Sequence, residues 1–307
     1  MLGHVTDPSA DGGLVRRELP EPRPGGHEVV VEVAAYAVNR GELRLLAERP
    51  DGWMPGQDVA GVVAAAAADG SGPPPGTRVV GIADGGGWSE RVAVPSHRLA
   101  ALPEAVPFPE AAALPVAGLT ALRLLRSGGP LLGRRVLVTG ASGGVGSFAV
   151  QLARVAGALV TAQVSGPSRV EAARALGADE VVTAVGEDSG PFDLVLEGVG
   201  GPLLTDALRR LAPGGTMTVY GIASGQPSQL AFRDFSGASP GGRLQGFWVY
   251  RTGEETFGRD LAALAALVAD GRLRPRLGDV RDWSQTLPAL AALRGRQVTG
   301  KVVLTRS

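Results

Sequence analysis

The chain has 307 residues, 44% apolar and 20% charged, with 46 Gly and 23 Pro, which is the composition of a globular protein with many turns rather than a disordered or fibrous one. Lys plus Arg and Asp plus Glu balance at 30 each, so no net field draws it to nucleic acid or to an anionic membrane, and small-molecule chemistry is the class favoured by elimination. The absence of cysteine excludes disulfides, thiol nucleophiles and thiolate metal sites, and without a leader pattern the expected location is cytoplasmic.

Residues 28–33 (Glu-Val-Val-Val-Glu-Val) form a β-rich run, and 59–67, 78–82 and 90–94 add short apolar runs separated by Gly/Pro turns, so the first hundred residues read as mostly β. After the Pro-rich stretch 102–109 the texture changes to strands at 136–139, 159–164, 180–183, 194–197 and 216–221, with apolar helical patterns between most of them. Such alternation predicts a parallel sheet covered on both faces. A strand-like segment at 244–250 precedes a helix near 258–270, and 301–305 is a terminal strand with no helix after it, expected to return to the first domain. The uncharged run 136–153 is long enough to raise a membrane helix, but Gly140, Gly143, Gly144 and Gly146 at its centre read instead as strand, tight turn and helix, so no membrane span is predicted.

That run is also the strongest functional signal. Val136-Leu137-Val138-Thr139 leads through Gly140-Ala141-Ser142-Gly143-Gly144-Val145-Gly146 into a segment apolar at helical spacing. Glycines let a backbone turn sharply and approach a pyrophosphate, and a helix start offers free N–H groups and partial positive charge to it. The bland alternative is a purely structural turn. At the end of the next strand, NAD sites carry an acid that binds the ribose hydroxyls, whereas here the residues are Val164-Ser165-Gly166-Pro167-Ser168-Arg169. Ser165 can donate to a 2′-phosphate and Arg169 can pair with it, so NADPH is the favoured cofactor; otherwise Arg169 is a solvated helix-start residue.

Several segments together resemble one family. Val38-Asn39-Arg40-Gly41-Glu42, Pro55-Gly56-Gln57-Asp58-Val59-Ala60-Gly61-Val62-Val63, Ala113-Leu114-Pro115-Val116-Ala117-Gly118-Leu119-Thr120-Ala121, the glycine turn and Gly300-Lys301-Val302-Val303 are similar, in order and over nearly the whole chain, to the zinc-free medium-chain dehydrogenases/reductases of the quinone oxidoreductase type. The resemblance implies an α/β architecture: a GroES-like β-rich catalytic domain, residues 1–113 and 248–307, with an inserted Rossmann doubly wound parallel-sheet domain, residues 114–247, and the active site in the cleft between them. It also implies a homodimer joined near residues 244–250. Where zinc-dependent relatives place Cys, His and Cys ligands, this chain resembles them with Asn39, Gln57 and Val116, none a usual zinc ligand, and no metal is expected. His4, His27 and His97 lie far from these positions and are expected to face solvent.

Residue by residue, the resemblance implies Ser142, Gly143, Gly144, Val145 and Gly146 at the pyrophosphate, Ser165 and Arg169 at the 2′-phosphate, and Gly198 and Val199 beside the adenosine. Thr120, Tyr220, Gly221, Ile222, Phe247, Trp248 and Val249 would surround the nicotinamide, and Lys301 would reach a phosphate. Tyr220, Phe247 and Trp248 read equally well as core aromatics. Asn39 is implied to meet the nicotinamide amide or the substrate oxygen, or else to cap a turn. The family's Tyr proton donor is replaced by Arg44, a poor acid but a good clamp for an anionic substrate, which leaves Tyr250 or bulk water as proton sources. The implied reaction is zinc-independent hydride transfer from NADPH to a small electrophile, a quinone or an α,β-unsaturated carbonyl. The alternatives are a tailoring reductase of a biosynthetic pathway acting on a specialised carbonyl or enoyl substrate, and a non-catalytic NADPH-binding protein.

Overall fold

Val and Ala dominate the early strands, and Gly or Pro residues fill most of the turns between them, so this part of the chain folds back repeatedly on itself. The computed structural model describes residues 1–236 and 239–306. They divide into one unit formed by Met1–Leu119 and the chain from Gly253 onward, and a second formed by Thr120–Thr252.

In the first unit, β1 (Leu2–Thr6) and β2 (Leu14–Glu18) make an antiparallel hairpin. The long strand β3 (Glu28–Val38) pairs antiparallel with both β4 (Asp58–Ala65) and β6 (Arg91–Pro95), while β5 (Arg78–Ile82) lies between β4 and β7 (Leu99–Ala101). Val29, Val31, Val33, Tyr36 and Val38 all enter the core beside Trp88 and Trp283, so β3 is covered rather than half-solvated. The helix α1 (Arg40–Glu48) starts immediately after it, with Asn39 in extended conformation at its N-cap. His4 departs from the expectation of solvent exposure. It is buried on β1, its Nδ1 3.2 Å from the Trp88 carbonyl oxygen, and burial lowers its pKa. His27 and His97 are exposed and stack on one another with ring centroids 6.3 Å apart.

The Pro-rich stretch leads into α2 (Phe108–Ala112) and α3 (Pro115–Ser127). The second unit then alternates β8 (Arg135–Val138), α4 (Gly144–Val155), β9 (Leu159–Gln163), α5 (Val170–Arg174), β10 (Glu180–Val182), β11 (Phe192–Glu197), α6 (Pro202–Leu208), β12 (Leu211–Val219) and β13 (Arg243–Gly246). The six strands are all parallel, in the order β10-β9-β8-β11-β12-β13. The chain runs outward from β8 in one direction and from β11 in the other, which is the doubly wound order. Leu137, Phe192, Val195, Leu204, Leu208 and Met217 are packed together in one core cluster of this unit. The strand expected over 244–250 stops at Gly246, and Val249–Arg251 is a 3₁₀ turn. Thr252 holds that turn: its hydroxyl donates to the Val249 carbonyl at 2.6 Å and accepts from the buried Arg123 at 2.9 Å.

After the helix Phe257–Ala269, β14 (Leu277–Asp282) and β15 (Lys301–Thr305) complete the first unit, β15 pairing parallel with β14 and antiparallel with β3. The terminal strand thus returns to the first sheet. No described helix is long and apolar enough to cross a membrane.

Two glycines of the first unit have opposite environments. A Cβ at Gly61 would run into the Glu32 carbonyl oxygen across the β3–β4 pair, whereas one at Gly41, on α1, would meet open space. Gly61→Ala is therefore expected to lower the thermal unfolding midpoint by the equivalent of about 1–3 kcal/mol. Gly41→Ala should raise it by about 0.5–1 kcal/mol through helix propensity. Equal shifts of one sign would contradict this packing.

Candidate functional site

The second unit places a glycine turn at the carboxyl ends of β8 and β11, where its strand order reverses, the position at which open parallel sheets commonly bind ligands. Gly140 has φ of 58° and begins the turn, and Gly143 is the N-cap of α4. The first-turn N–H groups of that helix have no intrahelical acceptor, which is what an anion requires. The glycines do different jobs. A Cβ on Gly146 would lie 2.5 Å from the Gly140 oxygen and 2.7 Å from the Ala141 Cα, so Gly146 lets α4 pack on the turn. A Cβ on Gly143 would meet only the Gly140 oxygen, at 3.3 Å, and φ there is −84°, so the open side of the turn lies at Gly143.

Arg169 reaches this turn, its Nη1 donating to Ser142 Oγ at 3.1 Å. Ser165 is exposed on the same β9–α5 connection. Across the switch point, the buried Glu197 at the end of β11 accepts from Val199 N–H at 2.8 Å, from Gly200 N–H at 3.0 Å and from the Thr139 hydroxyl at 3.1 Å. Thr139 in turn accepts from Gly198 N–H at 3.0 Å. These bonds hold the turn after β11 to the end of β8. Burial raises the Glu197 pKa, opposed by those donors. Tyr220 lies against Gly198, where a Cβ would fall 2.5 Å from its hydroxyl, and burial raises the phenol pKa. Gly221 approaches the Gly198 carbonyl in the same way.

The other residues expected around the nicotinamide are distributed as follows. Thr120 and Val249 are buried, Phe247 is half-buried, and Ile222 and Trp248 are exposed. Tyr250 is half-buried and meets Trp248 edge-on with centroids 6.1 Å apart.

The first unit holds a buried polar cluster. Lys301 Nζ donates to Asn39 Oδ1 at 2.6 Å, to Asp58 Oδ2 at 2.9 Å and to the Val38 carbonyl at 3.3 Å. Asn39 Nδ2 donates to Asp58 Oδ2 at 2.9 Å, and Asp58 Oδ1 accepts from Val116 N–H at 2.8 Å. Glu42 accepts from the backbone N–H groups of Asn39 at 2.8 Å and Gln57 at 3.0 Å. Burial first, and the Asp58 charge second, push the Glu42 carboxyl up to about 8. Lys301, expected to reach a phosphate, has its ammonium buried in this structure and donating inside the cluster. Arg44 does not join the cluster; its side chain is 74% exposed and pairs with Glu48 at 3.8 Å. The sequence reading passed over Glu42, Thr139 and Glu197. The Asn-x-x-Glu spacing of a helix start was the available signal for Glu42.

Glu42 yields a pH test. Its folded pKa lies above the unfolded value of 4.5, so its stability contribution is full below that value and is lost as pH rises toward about 8. Relative to Glu42→Gln, the wild type should lose up to about 1.4 kcal/mol of stability per pH unit across that window. Parallel stability curves for the two proteins would mean that Glu42 is ionised throughout.

Two family matches cover the chain in tandem: the alcohol dehydrogenase GroES-like domain over residues 25–104 and the zinc-binding dehydrogenase family over residues 144–266. Among curated relatives, the spectinabilin polyketide synthase system protein NorB of Streptomyces orinoci is 38% identical over 91% of this chain, and the pikromycin polyketide synthase component PikAII of Streptomyces venezuelae is 32% identical over 99%. The chain spans only 13% and 8% of those two proteins. The quinone oxidoreductase-like protein 2 of Bos taurus is 30% identical over 92% of this chain and 87% of its own length. Two solved mycobacterial structures, a native quinone oxidoreductase and a complex with NADPH, each superpose with a TM-score of 0.87 at 28% identity, covering 99% of both chains. A GroES-like unit joined to a doubly wound nucleotide-type unit, matched end to end by such relatives, places the chain in the medium-chain dehydrogenase/reductase superfamily, among its quinone oxidoreductase-like members.

Proposed function

We propose that the protein is a zinc-independent, NADPH-dependent reductase of quinones or α,β-unsaturated carbonyls. The observation that carries this reading is the open glycine turn at the β8–β11 switch point with Arg169 bonded to its Ser142. The cradle fits the nucleotide: Gly143 has room on its open side, α4 offers free N–H groups to the pyrophosphate, and Arg169 with Ser165 supplies the cation and the donor for a 2′-phosphate. No acid stands at the end of β9 to repel that phosphate. The mycobacterial relative's complex with NADPH supports the same cofactor.

NADPH, when bound, supplies the hydride. The chain's own part is binding, orientation and polarity. Gly198 and Val199, held by Glu197, wall the nucleotide beside Tyr220, Gly221 and Ile222. Asn39 presents an N–H toward the substrate oxygen on which charge develops, and the Tyr250 hydroxyl or water returns the proton. The donor set does not fit zinc, because Asn39 is bonded to Lys301 and Asp58 and Val116 offers no side-chain ligand. The cytoplasm is the proposed location. A homodimer joined along the edge strand β13 belongs to the same reading, since an edge leaves backbone groups open to pairing.

A second reading, a tailoring reductase acting on a specialised carbonyl or enoyl substrate, is favoured by one observation: the relatives NorB and PikAII are polyketide synthase proteins.

Arg169→Ala should weaken NADPH by about 1.5–3 kcal/mol and leave NADH nearly unchanged in fluorescence titrations, and equal losses would remove the 2′-phosphate assignment. Gly143→Val should fold, because φ there suits any residue, yet lose nucleotide binding; full affinity would move the site elsewhere. With C4-deuterated NADPH and a simple enone, deuterium should appear on the β-carbon of the saturated ketone. Deuterium at the carbonyl carbon instead would favour a carbonyl reductase.

A further inference from the structure

The Asn39 carboxamide is caught between a buried cation and a buried anion. Its oxygen accepts from Lys301 Nζ at 2.6 Å, and its nitrogen donates to Asp58 Oδ2 at 2.9 Å. The cation and the anion also bond each other at 2.9 Å, and Asp58 is anchored from its other oxygen by Val116 N–H at 2.8 Å. Lys301 is 3% exposed and Asp58 0%, so little water screens them. Turning the carboxamide over would set its NH₂ group against the ammonium and its oxygen against the carboxylate, two repulsive contacts in place of two attractive ones. In the orientation that charge permits, the oxygen is engaged and one of the two N–H groups is used. A single N–H is left to face a ligand.

We propose that Lys301 and Asp58 are positioning residues that hold Asn39 as a donor-only group, so that whatever it meets must present an acceptor, a carbonyl or enolate oxygen. This rests on the proposed reading in which Asn39 contacts the reacting molecules. The ammonium on the amide oxygen also polarises the remaining N–H, strengthening it as a donor where negative charge grows. Asp58 neutralises the buried ammonium and fixes the amide nitrogen, so neither residue performs the task alone.

The test is a double-mutant cycle. Lys301→Met with Asp58→Asn removes both charges together and strands neither; if that protein does not fold, Asp58→Asn alone enters the same cycle. Each is assayed with NADPH and 1,4-benzoquinone in the Asn39 and Asn39→Ala backgrounds. The expected result is a loss of kcat of about tenfold or more with NADPH affinity unchanged, and no further loss once Asn39 is already Ala. An equal loss in both backgrounds would make the pair merely structural and overturn the proposal. If Asn39→Ala itself costs nothing, or the wild type reduces no acceptor, the functional reading has failed instead. The crystal structure of the charge-free variant then decides the positioning claim: a turned Asn39 carboxamide upholds it, and an unmoved one overturns it.

Discussion

The buried ion pair between Lys301 and Asp58 ties together segments that are far apart in the chain. Lys301 opens the terminal strand, Asp58 opens β4, and Asn39, to which both bond, follows β3 directly at the N-cap of α1. Such a pair contributes little net stability against a hydrophobic replacement, while losing one partner alone costs about 3–5 kcal/mol. Its value is specification: the sheet of the first unit can close in only one register if the ammonium is to find its anion.

The second unit solves a different problem. A parallel sheet that winds outward in two directions leaves a gap above the strands where it divides, and the chain fills the rim of that gap with backbone rather than side chains. Gly146 and Gly198 are small because the Gly140 carbonyl and the Tyr220 ring occupy the space where a Cβ would be. Glu197 then collects the N–H groups of the turn after β11 and ties that turn to the strand end. That burial raises the Glu197 pKa follows from its position beneath the turn.

Much of this was legible in the sequence, for physical reasons. The glycine turn sits between a continuous apolar strand and a helical repeat, a local pattern that tertiary context rarely overrides, and the terminal strand revealed its destination by lacking a helix. Three features were not legible. His4 carries no local sign that β1 presses it against Trp88. The 3₁₀ turn that follows β13 is held by Thr252 and Arg123, which lie 129 positions apart. The cluster around Lys301 joins residues 262 apart, so the bond from this lysine to Asn39 left no trace in local spacing. Spacing exposes periodic and local constraints; pairing of buried charges across a sheet appears only when the fold is known.

The central claim is chemical: hydride transfer from NADPH without a metal. Its most direct test is consumption of NADPH and, separately, of NADH by the purified protein with a small quinone, an enone and an aldehyde, in the presence of a metal chelator. The account predicts chelator-insensitive turnover of the quinone or the enone with NADPH preferred. Turnover abolished by the chelator, or tight nucleotide binding with no acceptor reduced, would contradict it.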